Sequence, residues 1–176
     1  MISELPIETE RFNLIVANAV SSVFQTMLSR HIELDTTSSH DANGAPVRHI
    51  PITESGQQLV VGNIGFVGKL TGMVYLYMTY PFAINIASEM LGMDPHEVEE
   101  DEMVNDVIGE LSNMIVGHFK NQLDEHGYGC RLTIPSILRG SNFEVEPVRS
   151  ASRQVYYFST PDDQHLIFDL LMQPGD

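Results

Sequence analysis

One cysteine, Cys130, is all the chain has. That excludes an intrachain disulfide and any zinc site built on cysteines. Cys130 sits in the run Tyr128–Ile134, flanked by apolar residues, where a small buried side chain is the expected role. Basic residues are scarce too. Nine Lys and Arg stand against 24 Asp and Glu, for a net charge of −15. Such a surface repels phosphate backbones and anionic lipid headgroups, so neither nucleic acid nor a membrane surface is an expected partner. No apolar run approaches the ~20 residues that a membrane-spanning helix needs. The N-terminal MISELPIETE is acidic and lacks the basic and apolar regions of a signal peptide, so the expected location is cytoplasmic. The histidines (His31, His40, His49, His96, His118, His126 and His165) are scattered, with no H-x-x-x-H or H-E-x-x-H spacing, so no metal site is expected.

What is present is an ordinary globular composition. Hydrophobic residues make up 43% of 176, and a chain of this length buries about 70% of its unfolded surface, enough to fold without a staple. The expectation is one domain over residues 1–176, built of two pseudo-repeated halves at about 8–93 and 94–173. Each half opens with a long helix and continues in strands. Phe12, Val16, Ala19, Val23 and Met27 give the span Glu8–Ser29 one apolar stripe at helical spacing. Residues 36–46 are rich in turn formers and read as a loop. Asp41, Asn43 and Gly44 there start like a calcium loop, but the later ligands are missing, so a plain turn is expected. VRHIPITES, QQLVVGNIGFVG and TGMVYLYMTY read as strands. Pro81 opens a short helix, and a long one is expected from His96 to Asp124, its acidic first turns (Glu97, Glu99, Glu100, Asp101, Glu102) suited to the helix dipole. CRLTIPSIL, SNFEVEP, RQVYYFST and HLIFDLLM complete the strands, with Asp162 and Asp163 in a hairpin turn. The class is α+β.

The long helix has two unlike faces. Val104, Ile108, Leu111, Ile115 and Phe119 form a core stripe. Asp106, Glu110, Asn113 and Gly117, spaced four, three and four apart, line the other side. A solvated polar face accounts for that pattern without any function. Two details count against it. Gly109 and Gly117 each cost about 1 kcal/mol in a helix interior relative to Ala. Asn113 is a mediocre helix former where Lys or Glu would serve better.

The run Asp106-VIG-Glu110-LS-Asn113-MIV-Gly117 resembles the signature of the CheC/CheX/FliY family of chemotaxis phosphatases: Asp or Ser, three residues, Glu, two residues, Asn, and a Pro further on, here Pro135. IGFVGKLTGMVYLYM, SEMLGM and VSSVFQTML resemble further stretches of the family. The resemblance implies a fold of two long helices packed on an antiparallel β-sheet, and a phosphatase acting on the phospho-aspartate of a CheY-like response regulator. Asn113 would orient the attacking water, Glu110 would pair with a lysine of the partner, and Asp106 and Gly117 would belong to the docking face. It implies no cofactor of the chain's own, since Mg²⁺ would come with the phosphorylated receiver. Where some members carry a Glu/Asn pair in both long helices, Asn18 here aligns with Asn113 but Ile15 aligns with Glu110. A single-site, CheX-like homodimer is therefore the expected form. Two other readings remain compatible with this face: a non-catalytic binding module of the flagellar-switch type, and an adaptor that holds a phosphorylated receiver without hydrolysing it.

Overall fold

The computed structural model describes residues 7–40, 47, 50, 52, 56–98, 100–148 and 150–176. These form three α-helices and one antiparallel sheet. Helix α1 (Thr9–Leu28) is followed by strands β1 (Glu33–Ser38), β2 (Leu59–Gly68) and β3 (Leu70–Thr79). Helices α2 (Tyr80–Leu91) and α3 (Asp101–Glu125) come next, then β4 (Cys130–Leu132), β5 (Ser136–Gly140), β6 (Ser152–Ser159) and β7 (His165–Pro174). The sheet order is β1-β6-β7-β3-β2-β4, with β5 also paired to β2. No helix among the described residues is long and apolar enough to cross a membrane.

The α+β class and the two long helices on an antiparallel sheet are as expected, with α2 joining them on the same face. All three helices contribute to one core with Val60, Ile64, Val74, Leu76, Met78, Phe158, Phe168 and Leu170 of the sheet. Phe119 of α3 anchors it, its ring edge-on to both Phe66 and Phe168, at 6.0 and 5.7 Å between centroids. The opposite sheet face carries a smaller cluster of Val47, Ile50, Leu59, Val61, Tyr77, Val155 and Ile167. Within it lies a buried ion pair. Arg153 donates to both carboxylate oxygens of Asp169, at 2.8 and 2.6 Å, and to the carbonyls of Val47 and Val145. Burial lifts the Asp169 carboxyl above its ordinary pKa, against the pull of Arg153.

Several boundaries differ from the expectation. The long helix starts at Asp101, because Asp94 and Glu97 close a capping box around a separate 3-10 turn, Pro95–Glu97. Glu99 and residues 41–46 lie outside the described residues, as does most of VRHIPITES. Residues 36–38 belong to β1 rather than a loop. This edge strand is held by main-chain pairing to β6, which needs no apolar side chains. SNFEVEP is no strand: Phe143 packs on the small cluster and the Val145 carbonyl accepts from Arg153 instead of from a neighbouring strand. Met27 is 39% exposed, and Phe24 and Leu28 carry the end of the α1 stripe in its place. Cys130 is buried as expected, and burial raises its thiol pKa above the ordinary value.

Candidate functional site on the exposed edge of the long helix

Five apolar residues fix how α3 lies. Val104, Ile108, Leu111, Ile115 and Phe119 are all buried, so Asp106, Glu110 and Asn113 are turned outward and exposed. Two small residues bring the helix close to the sheet. Ser112 is fully buried, its hydroxyl donating to the Ile108 carbonyl at 2.7 Å. It sits on Gly62 of β2, where a Cβ would overlap that hydroxyl.

The second wall comes from the far side of β2. β4 and β5 pair with the same edge of β2, one after the other. The sequence CRLTIPSIL, expected as one strand, is split because Pro135 has no N–H to give a ladder. Thr133 still ties the break to β2: its N–H donates to the Gly65 carbonyl at 2.8 Å, and its hydroxyl accepts from the Gly65 N–H at 2.8 Å. Ser136 donates to Asn63 at 2.9 Å. Further along β5, Arg139 reaches across to α3, donating to the Asn105 side chain at 2.8 Å, to Asp101 Oδ1 at 3.1 Å and to the Asp101 carbonyl at 2.9 Å. Its guanidinium stacks 5.2 Å from the Tyr80 ring.

Between these walls runs an open groove of about 540 Å³, lined by Asn105, Asp106, Gly109, Glu110, Asn113, Pro135, Ser136 and Ile137. Three of the residues singled out from the sequence, Asp106, Glu110 and Asn113, meet there with Pro135. Gly117 is half-buried, one turn past Asn113, and is not part of the lining. Asn105, Ser136, Ile137 and the Arg139 tie were not legible in the sequence. They join the site only because β5 folds back beside α3.

Among the described residues, neither the two carboxylates nor the Asn113 amide has a hydrogen bond or ion pair. Two unpaired carboxylates one helical turn apart repel each other by a few tenths of a kcal/mol, a small standing cost that a cation would relieve. The amide beside them can donate and accept at once. Nothing in the lining is a His, Cys or Lys, and its one hydroxyl, Ser136, donates to Asn63, so the groove can orient a reactant and attract a cation, but no base in the lining activates that hydroxyl as a nucleophile. On α1, Ile15 is 3% exposed and belongs to the core, while Asn18 is exposed. That helix offers an amide without a carboxylate.

The family model described as chemotaxis phosphatase CheX matches residues 60–159. A Thermotoga maritima protein named CheY-P phosphatase CheX is 27% identical over 135 residues, covering 75% of this chain and 79% of that protein. The crystal structure of a chemotaxis protein CheX from Desulfovibrio desulfuricans superposes with a TM-score of 0.71 at 19% identity, covering 92% of this chain and 99% of that one. A Borrelia burgdorferi structure described as a CheX–CheY–BeF3–Mg²⁺ complex gives 0.70 at 22% identity, with coverage of 92% and 97%. The family match runs from strand β2 through the whole of α3 and the Pro135 break to the end of β6, so both walls of the groove fall inside it, and the chain belongs to the chemotaxis phosphatase CheX family.

Proposed function

We propose that this chain hydrolyses the aspartyl phosphate of a CheY-like receiver domain, with Asn113 orienting the water and Glu110 docking the partner. The observation that carries the proposal is an unpaired amide and two unpaired carboxylates, all exposed, on one edge of an open groove that has no His, Cys or Lys in its lining. Phosphoryl transfer asks for an in-line nucleophile and neutralised equatorial oxygens, and for little covalent work from the protein. The water oxygen forms a bond to phosphorus as the bond from phosphorus to the aspartyl oxygen breaks. The products are inorganic phosphate and a free carboxylate. The Asn113 amide, accepting from the water and donating beside it, holds that water in line. Glu110, with Asp106 one turn before it, meets cationic groups of the receiver. The Mg²⁺ comes with the receiver, in keeping with the beryllofluoride and Mg²⁺ named in the Borrelia complex. A cytoplasmic location goes with such a partner.

Phosphate release from a phosphorylated receiver tests the proposal, and Glu110→Ala tests the docking role. This variant is expected to raise KM roughly tenfold with kcat nearly unchanged, and added salt should weaken the wild-type complex in the same direction. A Glu110→Ala protein with wild-type KM and depressed kcat would reassign the carboxylate to the chemical step.

We also propose a homodimer. Among the described residues, β1 pairs only with β6, and β4 and β5 pair only with β2, so each side of the sheet ends in strands with no further described partner. Light scattering at micromolar concentration should give about twice the 19.7 kDa chain mass. A monomer mass that persists as concentration rises removes the claim.

A further inference from the structure

Gly109 lies in the middle of α3, a 25-residue helix, where glycine is a poor choice for stability. A glycine in such a place ordinarily answers to one of two demands within the fold. The first is a positive φ, and Gly109 does not have one. The second is close packing, as at Gly62 beneath Ser112. Gly109 differs there too: a Cβ built on it would meet no atom within 4 Å. Gly109 is buried at the helix surface and lines the floor of the groove, with Asp106, Glu110 and Asn113 on one side and Pro135, Ser136 and Ile137 on the other. Ala would therefore fit the folded chain and strengthen the helix, yet the position is glycine.

We infer that Gly109 is a docking determinant: the bare backbone lets the phosphate-bearing loop of the receiver come into van der Waals contact with α3 at the floor of the groove. This inference rests on the phosphatase reading above. The occupant follows from charge: two unpaired carboxylates on the groove edge fit the cationic surround of a phosphorylated aspartate. The depth matters because the Asn113 side chain is short. Its amide reaches the water only if the partner sits close to the helix, and a displacement of about 1 Å at a reacting centre can cost roughly a hundredfold. A methyl on Gly109 holds the partner off by a distance of that order. Gly109 touches no reacting atom; it sets how near the reacting atoms come to Asn113.

A size series at this position tests the inference, because stability and function should move in opposite directions. Gly109→Ala is expected to melt about 2–4 °C above the wild type, while kcat/KM falls at least tenfold. Gly109→Leu should melt no lower than the wild type and lose about a hundredfold or more. Binding to a receiver activated with beryllofluoride and Mg²⁺, measured by calorimetry, should weaken in the same order. If both variants bind and turn over like the wild type, the glycine has no docking role. If Gly109→Ala melts below the wild type, the glycine answers to packing inside the chain, and the inference again fails. If the wild type binds the activated receiver but releases no phosphate, the hydrolytic reading fails by itself, and the binding series still decides the role of Gly109.

Discussion

Asn113→Ala should fold and melt like the wild type and still bind a phosphorylated receiver, yet release phosphate about a hundredfold more slowly or worse when the receiver is saturating. The stability half follows from placement. Asn113 is exposed, opposite the buried stripe of α3, and has no hydrogen bond among the described residues. Truncating such a side chain changes stability by about 0.5 kcal/mol at most, and Ala is the better helix former. The catalytic half follows from what the groove lacks. With no His, Cys or Lys in its lining and its one hydroxyl, Ser136, bound to Asn63, orientation of the water is, on the proposed reading, the chain's main means of lowering the barrier. A preorganised group that acts on the transition state is commonly worth about 10²–10³ in kcat, and a hundredfold is about 2.7 kcal/mol of barrier. The loss must appear in kcat, because docking is assigned to Glu110 and to the groove walls. Single-turnover dephosphorylation at rising concentrations of the chain, with melts alongside, separates the two. A wild-type plateau rate for Asn113→Ala would mean that the amide does not hold the water, and an adaptor that binds without hydrolysing would become the better account.

The sequence showed one wall of this groove and, apart from Pro135, hid the other, for a physical reason. α3 is amphipathic, so its 3.6-residue period separates Val104, Ile108, Leu111, Ile115 and Phe119 from Asp106, Glu110 and Asn113 within one stretch of chain. The partner wall depends on register between segments far apart in sequence. Ile137 stands beside α3 because it pairs with Gly62, and Arg139 reaches Asn105 because it pairs with Val60. No periodicity encodes such a pairing. The same limit explains β1, whose Glu, Asp, Thr and Ser residues carry no alternation and which exists through its main-chain bonds to β6. It also explains why β7 could be recognised as a strand but not oriented. Its residues from Leu166 to Met172 are buried on both faces, so polar-apolar alternation is lost. Asp169 in the middle of that run gave no hint of its partner, since Arg153 lies on the neighbouring strand.

That pair carries the largest stability prediction: Asp169→Ala should cost about 3–5 kcal/mol. The Arg153 and Asp169 side chains are 2% and 0% exposed, their closest atoms 2.6 Å apart, with Tyr75, Tyr77 and Tyr157 around them. Removing the carboxylate alone leaves a guanidinium buried without its counter-charge, which is far more costly than the net worth of the pair. Against the roughly 5–15 kcal/mol that holds a domain folded, this is a large share, and the melting temperature should fall by about 10 °C or more. Replacing both partners, Arg153→Met with Asp169→Leu, should recover part of the loss because no charge is left buried. Recovery will be incomplete, since Arg153 also donates to the Val47 and Val145 carbonyls, which an apolar pair cannot serve. Function should respond differently from stability. The pair lies within the cluster on the sheet face opposite the helices, so Asp169→Ala assayed well below its melting point should keep the wild-type kcat. Urea unfolding of the two single variants and the double gives the coupling directly. A loss below about 1 kcal/mol for Asp169→Ala would mean that water or a rearranged Arg153 relieves the buried charge, and the ion pair would then be incidental to the fold.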